Sequence, residues 1–270
     1  MKLTEDQLAL YRHNGYVVIE NLLDQEEIRL LKSRIPCFKD FRHLPNVICE
    51  DNGDIRSVFT PHRHDPVYEK LYLNHRFVQA SRDLLEDDIY LYQYKLNLKK
   101  PFTGKMWEWH QDFAYWHLDD GVARDDMLSV MIYLDDTRSY QGPLMVIPGS
   151  HKFDVVTFQQ KEILNGTDRP PQDLKFSLGA NLKYTVDQAL VKKMADANGI
   201  EVLEYGAGSC IFFHANLFHA SNGNLSPYER DTIIMTYNSL SNLPQRTDRP
   251  DFVCSRTFEA IQVMPELELV

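Results

Sequence analysis

The segment IYLYQYKLNL, residues 89–98, constrains the fold of this chain more than any other. Tyr, Ile and Leu at this density favour extended backbone, and alternation along a strand sends Gln93, Lys95 and Asn97 to one face. Two amides and an ammonium make a poor apolar core but a suitable pocket wall. The chain therefore needs a second layer that encloses a polar cavity instead of filling it. Strand-like segments recur at LSVMIYLDD (128–136), GPLMVIPGS (142–150), GSCIFFHANLFH (208–219) and RDTIIMTYN (230–238), separated by turn signals. This pattern predicts a mainly β fold with flanking helices, a double-stranded β-helix or cupin-like jelly roll.

The first third reads differently. LTEDQLALYRHNG has Thr4 as N-cap and Gly15 as stop, so it predicts a short helix, followed by a strand in YVVIENLL. LDQEEIRLLKSRI predicts a second helix, capped by Asp24 and ended before Pro36, and residues 66–86 suit one or two more. TVDQALVKKMADANG (185–199) is an amphipathic helix with a glycine stop. The expected organisation is one domain over 1–270, with a mainly helical cover (1–88) and a jelly-roll core (89–245). The polar, turn-rich stretch 158–179 suits either a lid over the site or a plain surface excursion.

WEWHQDF, residues 107–113, carries the chemistry. A histidine and an aspartate among aromatics need a partner. If the segment is extended, His110 and Asp112 point to the same side and offer an imidazole and a carboxylate to one metal. Adding a second imidazole gives the two-histidine, one-carboxylate set of non-haem Fe(II) oxygenases, which leaves coordination positions open. Two candidates for that imidazole, His214 and His219, lie in FFHANLFHASNGNLSPYER. On one strand they would occupy opposite faces, which favours His219 as ligand and His214 as structural. Arg230 follows, and its planar fork suits a carboxylate. His219, Ser221 and Arg230 would then supply ligand, hydroxyl donor and clamp. A second H-x-D, His117 and Asp119, has the same spacing, and the plain alternative for either is a loop ion pair.

WHQDFAYWHLDDG, GPLMVIPGSHK and HASNGNLSPYER, in this order and at these separations, resemble the phytanoyl-CoA dioxygenase-like family, and within it the ectoine hydroxylases. The resemblance runs from about residue 90 to 245 and extends to NGYVVIENLL. It implies mononuclear Fe(II), with 2-oxoglutarate and O2 as cosubstrates. It also implies His110, Asp112 and His219 as iron ligands, and Asn97, Trp107, Ser221 and Arg230 as 2-oxoglutarate contacts. Gln93, Trp116 and Phe213 match residues lining the substrate pocket of the ectoine enzymes, and Lys95 stands where they have arginine. Thr232 and Ile234 depart from the pattern, which has Asn and Phe there. Losing an amide and an aromatic wall predicts a ligand other than ectoine. The implied reaction is hydroxylation of a small polar, amino-acid-like or zwitterionic molecule. The carboxylate of Asp112 favours oxygen insertion, since related halogenases lack it. The same iron centre could instead demethylate, desaturate or cyclise. A non-catalytic cupin-like binding protein is the reading from another class.

The bulk properties exclude several partners. A net charge of -10 argues against a nucleic-acid binder and offers no basic patch for a coenzyme A phosphate. The charged N-terminal segment has no signal-peptide core, and no apolar run reaches about 18 residues, so a cytoplasmic location and no membrane partner are expected. Cys37, Cys49, Cys210 and Cys254 form no C-x-x-C pair and are expected to be free, mostly buried thiols. The sequence leaves the choice between monomer and homodimer open.

Overall fold

The computed structural model describes residues 1–153, 159, 160 and 182–262. In chain order the elements are α1 (Glu5–Asn14), β1 (Tyr16–Ile19), α2 (Gln25–Arg34), β2 (Val47–Cys49), β3 (Ile55–Phe59), α3 (Pro66–Leu73), α4 (His75–Leu85) and β4 (Ile89–Lys99). There follow β5 (Trp107–His110), α5 (Asp112–Asp120), β6 (Met127–Tyr133), β7 (Leu144–Val146), β8 (Gln159–Gln160) and β9 (Tyr184–Thr185). The last are α6 (Gln188–Asn198), β10 (Glu201–Leu203), β11 (Cys210–His214), β12 (His219–Ser221) and β13 (Arg230–Ser239).

The helix ends follow their capping chemistry. Thr4 and Gln7 form a capping box at α1, and Gly15 closes it at φ 82°. Asp24 and Glu27 do the same at the start of α2, which stops at Arg34, two residues before Pro36. Asp187 caps α6.

A seven-stranded antiparallel sheet runs β1-β11-β6-β13-β4-β3-β2, and a four-stranded sheet runs β10-β7-β12-β5. Period-two alternation sorts the large sheet into two faces. Leu96, Leu128, Val130, Phe212, Ile233 and Met235 meet Tyr11 of α1, Leu31 of α2, Leu71 of α3 and Phe77 of α4 in the main core. From the other face Met131, Tyr133, Ile211, Phe213 and Ile234 meet Leu144 and Val146 of β7 and Leu203 of β10. The two sheets thus pack face to face as a jelly roll with helices on one outer side.

Four expectations need correction. In the first third, β2 and β3, which were not expected, join the expected β1 as strands of the large sheet. The segment 208–219 is not one strand. It turns at 215–218, where Leu217 N–H donates to His214 O at 3.0 Å, and its halves join different sheets. WHQDFAYWHLDDG contains α5, ended by Gly121 at φ 70°. All four thiols are free, but only Cys210 and Cys254 are buried. Cys37 lies in an exposed 3₁₀ turn and Cys49 at a strand end. The stretch 158–179 lies outside the described residues except for the pair in β8.

Candidate metal and cosubstrate site

His110 ends β5, and Asp112 opens α5 two residues later. The shared side of the two side chains therefore comes from a strand-to-helix corner, not from strand alternation. Gln111 fixes that corner. It is fully buried, and its Nε2 donates to Asn216 O at 3.0 Å and Asn216 Oδ1 at 2.6 Å, while Phe113 N–H donates to Ala215 O at 2.9 Å. The 215–218 turn leads into β12, whose His219 pairs directly with His110 of β5. One stitched corner and one strand pair thus set all three side chains.

The ligand atoms of His110, Asp112 and His219 lie within 4.8 Å of one another, the only such metal-capable group among the described residues. Asp112 Oδ1 is 3.6 Å from His110 Nε2 and 3.9 Å from His219 Nε2. Each imidazole is oriented through its other nitrogen. His110 Nδ1 donates to Glu108 O at 2.7 Å, and His219 Nδ1 to Leu217 O at 2.9 Å. Both Nε2 lone pairs are left for a metal. Burial, with His110 adding to it, pushes His219 down to about 4, so the imidazole is neutral. Burial also opposes the charge on Asp112, yet His219, His110 and Lys95 together hold its carboxyl well below the usual range. Two imidazoles and a carboxylate are the donor set that suits Fe(II).

Beside the ligands opens a cleft of about 850 Å³, mouth included, between the two sheets. Asn97, Trp107, Ser221 and Arg230 are among the residues that line it. Arg230 is almost fully buried, and Nη1 donates to Thr232 Oγ1 at 3.1 Å. Its Nε and the Oδ1 of Asn97 are buried with no partner among the described residues. Each such orphan costs about 1–3 kcal/mol unless something pairs it. No anion neutralises Arg230 among the described ion pairs, so a carboxylate-bearing chelator fits this wall. The fit is chemical, resting on an orphaned guanidinium donor beside an N,N,O ligand set.

Gln93, Lys95, Trp116, Phe213 and Ile234 also line the cleft. Gln93 Nε2 donates to Val253 O at 2.8 Å, which leaves its amide oxygen as an acceptor. Lys95 carries no ion pair among the described residues, and its Nζ stands 6.0 Å from the Trp107 ring. Trp116 packs edge-on against Tyr92 and Phe213 edge-on against His219. Thr232 is the exception. It shares the inward face, but it is buried behind the wall, where its hydroxyl accepts from Arg230 and donates to Asn97 O at 3.1 Å. It supports the clamp and does not line the cleft.

The rival histidines go elsewhere. His214 stands on the large sheet against His151 and Tyr11. His117 Nδ1 bonds Val122 O, while Asp119 takes Lys183 and Tyr184.

Sequence reasoning missed Ser57 and Phe59 of β3 and Arg249 and Val253, which also line the cleft. The first pair lies in the stretch read as helical cover, the second beyond its assumed end at 245. Arg249 is held by Asp120, with Nε to Oδ1 at 2.7 Å. Arg56, whose guanidinium lies 4.2 Å from the Trp107 ring centroid, was missed for the same reason as Ser57.

Known proteins resemble this chain over most of its length. The chain is 32% identical over 93% of its length to L-proline trans-4-hydroxylase of Streptomyces griseoviridis, covering 92% of that protein. It is 33% identical over 95% of its length to ectoine dioxygenase of Stutzerimonas stutzeri, covering 85% of it. The crystal structure of EctD from S. alaskensis with 2-oxoglutarate and 5-hydroxyectoine superposes with a TM-score of 0.81 at 29% identity, covering 96% of this chain and 86% of that one. The phytanoyl-CoA dioxygenase (PhyH) family model matches residues 11–232, which include the ligand corner, its partner strand and the buried arginine. By that match and by these relatives, the chain belongs to the phytanoyl-CoA dioxygenase family.

Proposed function

We propose that this 2-oxoglutarate-dependent dioxygenase hydroxylates a small zwitterionic, amino-acid-like metabolite, and that free proline is the first compound to test. The observation that carries the reading is the convergence of His110, Asp112 and His219 on one point beside the buried, incompletely paired Arg230. His110, Asp112 and His219 would hold Fe(II), and Asn97, Trp107, Ser221 and Arg230 would seat 2-oxoglutarate. With O2, that centre supplies the oxidant that converts a C–H bond to C–OH as 2-oxoglutarate becomes succinate and CO2. The chain's own groups bind, orient and exclude water. Arg230 offers a carboxylate its free Nε, and Trp107 closes the wall under the Arg56 guanidinium.

The substrate end suits a zwitterion. Lys95 provides a cation with no ion pair among the described residues, Gln93 an acceptor oxygen, and Trp116, Phe213 and Ile234 an apolar wall. Ile234, an aliphatic side chain on the cleft wall, favours a substrate other than ectoine. Likeness to a proline hydroxylase over most of both chains supports an amino acid.

The test is to load the protein anaerobically with Fe(II) and 2-oxoglutarate, then add O2 with proline, ectoine or other small zwitterions. Succinate and substrate mass are followed together. Succinate tied to one compound that gains one oxygen atom is expected. A compound that loses mass would replace hydroxylation by desaturation or demethylation. No succinate with any compound would count against the reading.

A further inference from the structure

Lys99, at the end of β4, is a buried amine that no reading of the site uses. It is 2% exposed and has no carboxylate partner among the described residues. Its Nζ sits in a cradle of three neutral oxygens: Ser221 Oγ at 2.8 Å, Gly142 O at 3.5 Å and Asn222 O. The cradle is built around it. A Cβ on Gly142 would lie 2.8 Å from Nζ and 2.2 Å from Asn222 O, and one on Gly104 would lie 2.9 Å from Lys99 Cβ. The charged groups facing it are Arg230, its register partner on β13, and Arg56 from β3.

Two of the three oxygens are carbonyls and can only accept. An ammonium has three N–H donors and would give the third to Ser221 Oγ. Ser221 then has its own proton free for an acceptor in the cleft. A neutral amine has two N–H groups, both taken by the carbonyls, and a lone pair that accepts the Ser221 proton instead. The charge on Lys99 thus sets the direction of the Ser221 hydrogen bond.

We propose that Lys99 is a positioning residue for the cosubstrate, acting through Ser221, and that 2-oxoglutarate binding is coupled to uptake of a proton by this side chain. This rests on the reading that 2-oxoglutarate occupies the cleft against Ser221 and Arg230. In the free protein, burial, reinforced by Arg230 and Arg56, pushes the Lys99 ammonium down to about 5, so the amine is neutral near neutral pH. A dianion seated beside it supplies the missing negative charge and favours the ammonium. The proton comes from solvent and ends on Nζ. The Ser221 hydroxyl proton turns from Nζ to a carboxylate oxygen.

The experiment is calorimetry of 2-oxoglutarate binding to the Mn(II)-loaded protein near neutral pH, in two buffers of different ionisation enthalpy. The expected result is uptake of about one proton per cosubstrate in the parent chain. Uptake should be lost in Lys99→Met, with affinity down at least about tenfold. Ser221→Ala should weaken binding but keep the uptake. The double variant should bind no more weakly than Lys99→Met, because the residues act in series. Binding without proton uptake by the parent chain overturns the proposal whether or not the variants fold. Uptake that persists in Lys99→Met, or affinity losses that add, also overturns it. Loss of Mn(II) affinity in Lys99→Met would show a role in the metal site instead. If the Mn(II)-loaded parent binds no 2-oxoglutarate at all, the cosubstrate reading itself fails and takes this proposal with it.

Discussion

At the scale of single residues, Asp112 is the most exposed to test. It is the sole carboxylate among the three converging ligands, and its charge is held by His219, His110 and Lys95 against the cost of burial. Asp112→Ala removes an anionic ligand and leaves two imidazoles and a lysine near one point. We expect hydroxylation to be abolished. Measured by product formation at saturating Fe(II), near-normal turnover in that variant would sink the ligand assignment. Arg230 makes a different prediction because, on the proposed function, it would meet cosubstrate and not metal. Arg230→Met should raise the KM for 2-oxoglutarate by at least about tenfold, the scale of a lost charge-assisted pair, with Fe(II) affinity unchanged. Steady-state kinetics beside a metal titration separates the two. A parallel loss of metal affinity would place Arg230 in the wrong role. Asp112 could be found in sequence because it is an incongruous polar group among aromatics, and Arg230 because it opens the strand that follows the His219 loop. Lys99 and Arg56 could not, since a lysine in KK or an arginine in DIRSV gives no local sign that it is buried.

At the scale of elements, the strand reading reached the right residues partly by the wrong route. Alternation did place Gln93, Lys95 and Asn97 on one face of β4, because its register with β13 is unbroken from Gln93 to Lys99, and the bulge opposite Thr236 and Tyr237 falls just before that stretch. It did not place Asp112, which turns inward at the first residue of α5. His219 lies on a different sheet from His214 and not on the far face of the same strand. Such corners depend on long-range bonds from Gln111 and Phe113 to the 215–216 turn, and no local pattern encodes a partner about a hundred residues away. That stitch is itself testable. Gln111→Ala removes two buried hydrogen bonds without touching a ligand and leaves Asn216 underpaired. A stability loss of about 1–3 kcal/mol is expected, with Fe(II) or Mn(II) affinity about tenfold weaker, as for supporting residues at other metal sites. Thermal unfolding and metal titration of the same variant report the two effects. Unchanged metal affinity would mean the corner holds its geometry without the stitch.

At the scale of the whole molecule, the fold divides its labour between the faces of one sheet. The helical side of the large sheet is apolar and carries stability, while the inner side sets a polar cleft beside a smaller apolar cluster and carries chemistry. Asp231 is the place where that division is broken. It follows Arg230 on β13 but points to the apolar side, 2% exposed, and its Oδ1 has no partner among the described residues. Burial, helped by Glu229 and Asp135 and opposed by Lys100 and Lys32, raises its carboxyl to about 7. A folded value above the unfolded one makes the folded state the better proton binder. Its contribution is therefore intact below about pH 4 and is lost as pH rises through about 7. Asp231→Asn keeps the shape and removes the ionisation. Compared with the parent chain, the variant should show no gain in Tm at acid pH. Above neutral pH it should gain several degrees, corresponding to about 2–4 kcal/mol. A Tm difference that is the same at both pH values would show that the Asp231 charge is solvated or paired. Activity should follow the parent in either case, because Asp231 lies across the sheet from the cleft. An alkaline loss of stability relieved by this variant, with turnover intact, would locate the weakness in the apolar layer and not in the metal site.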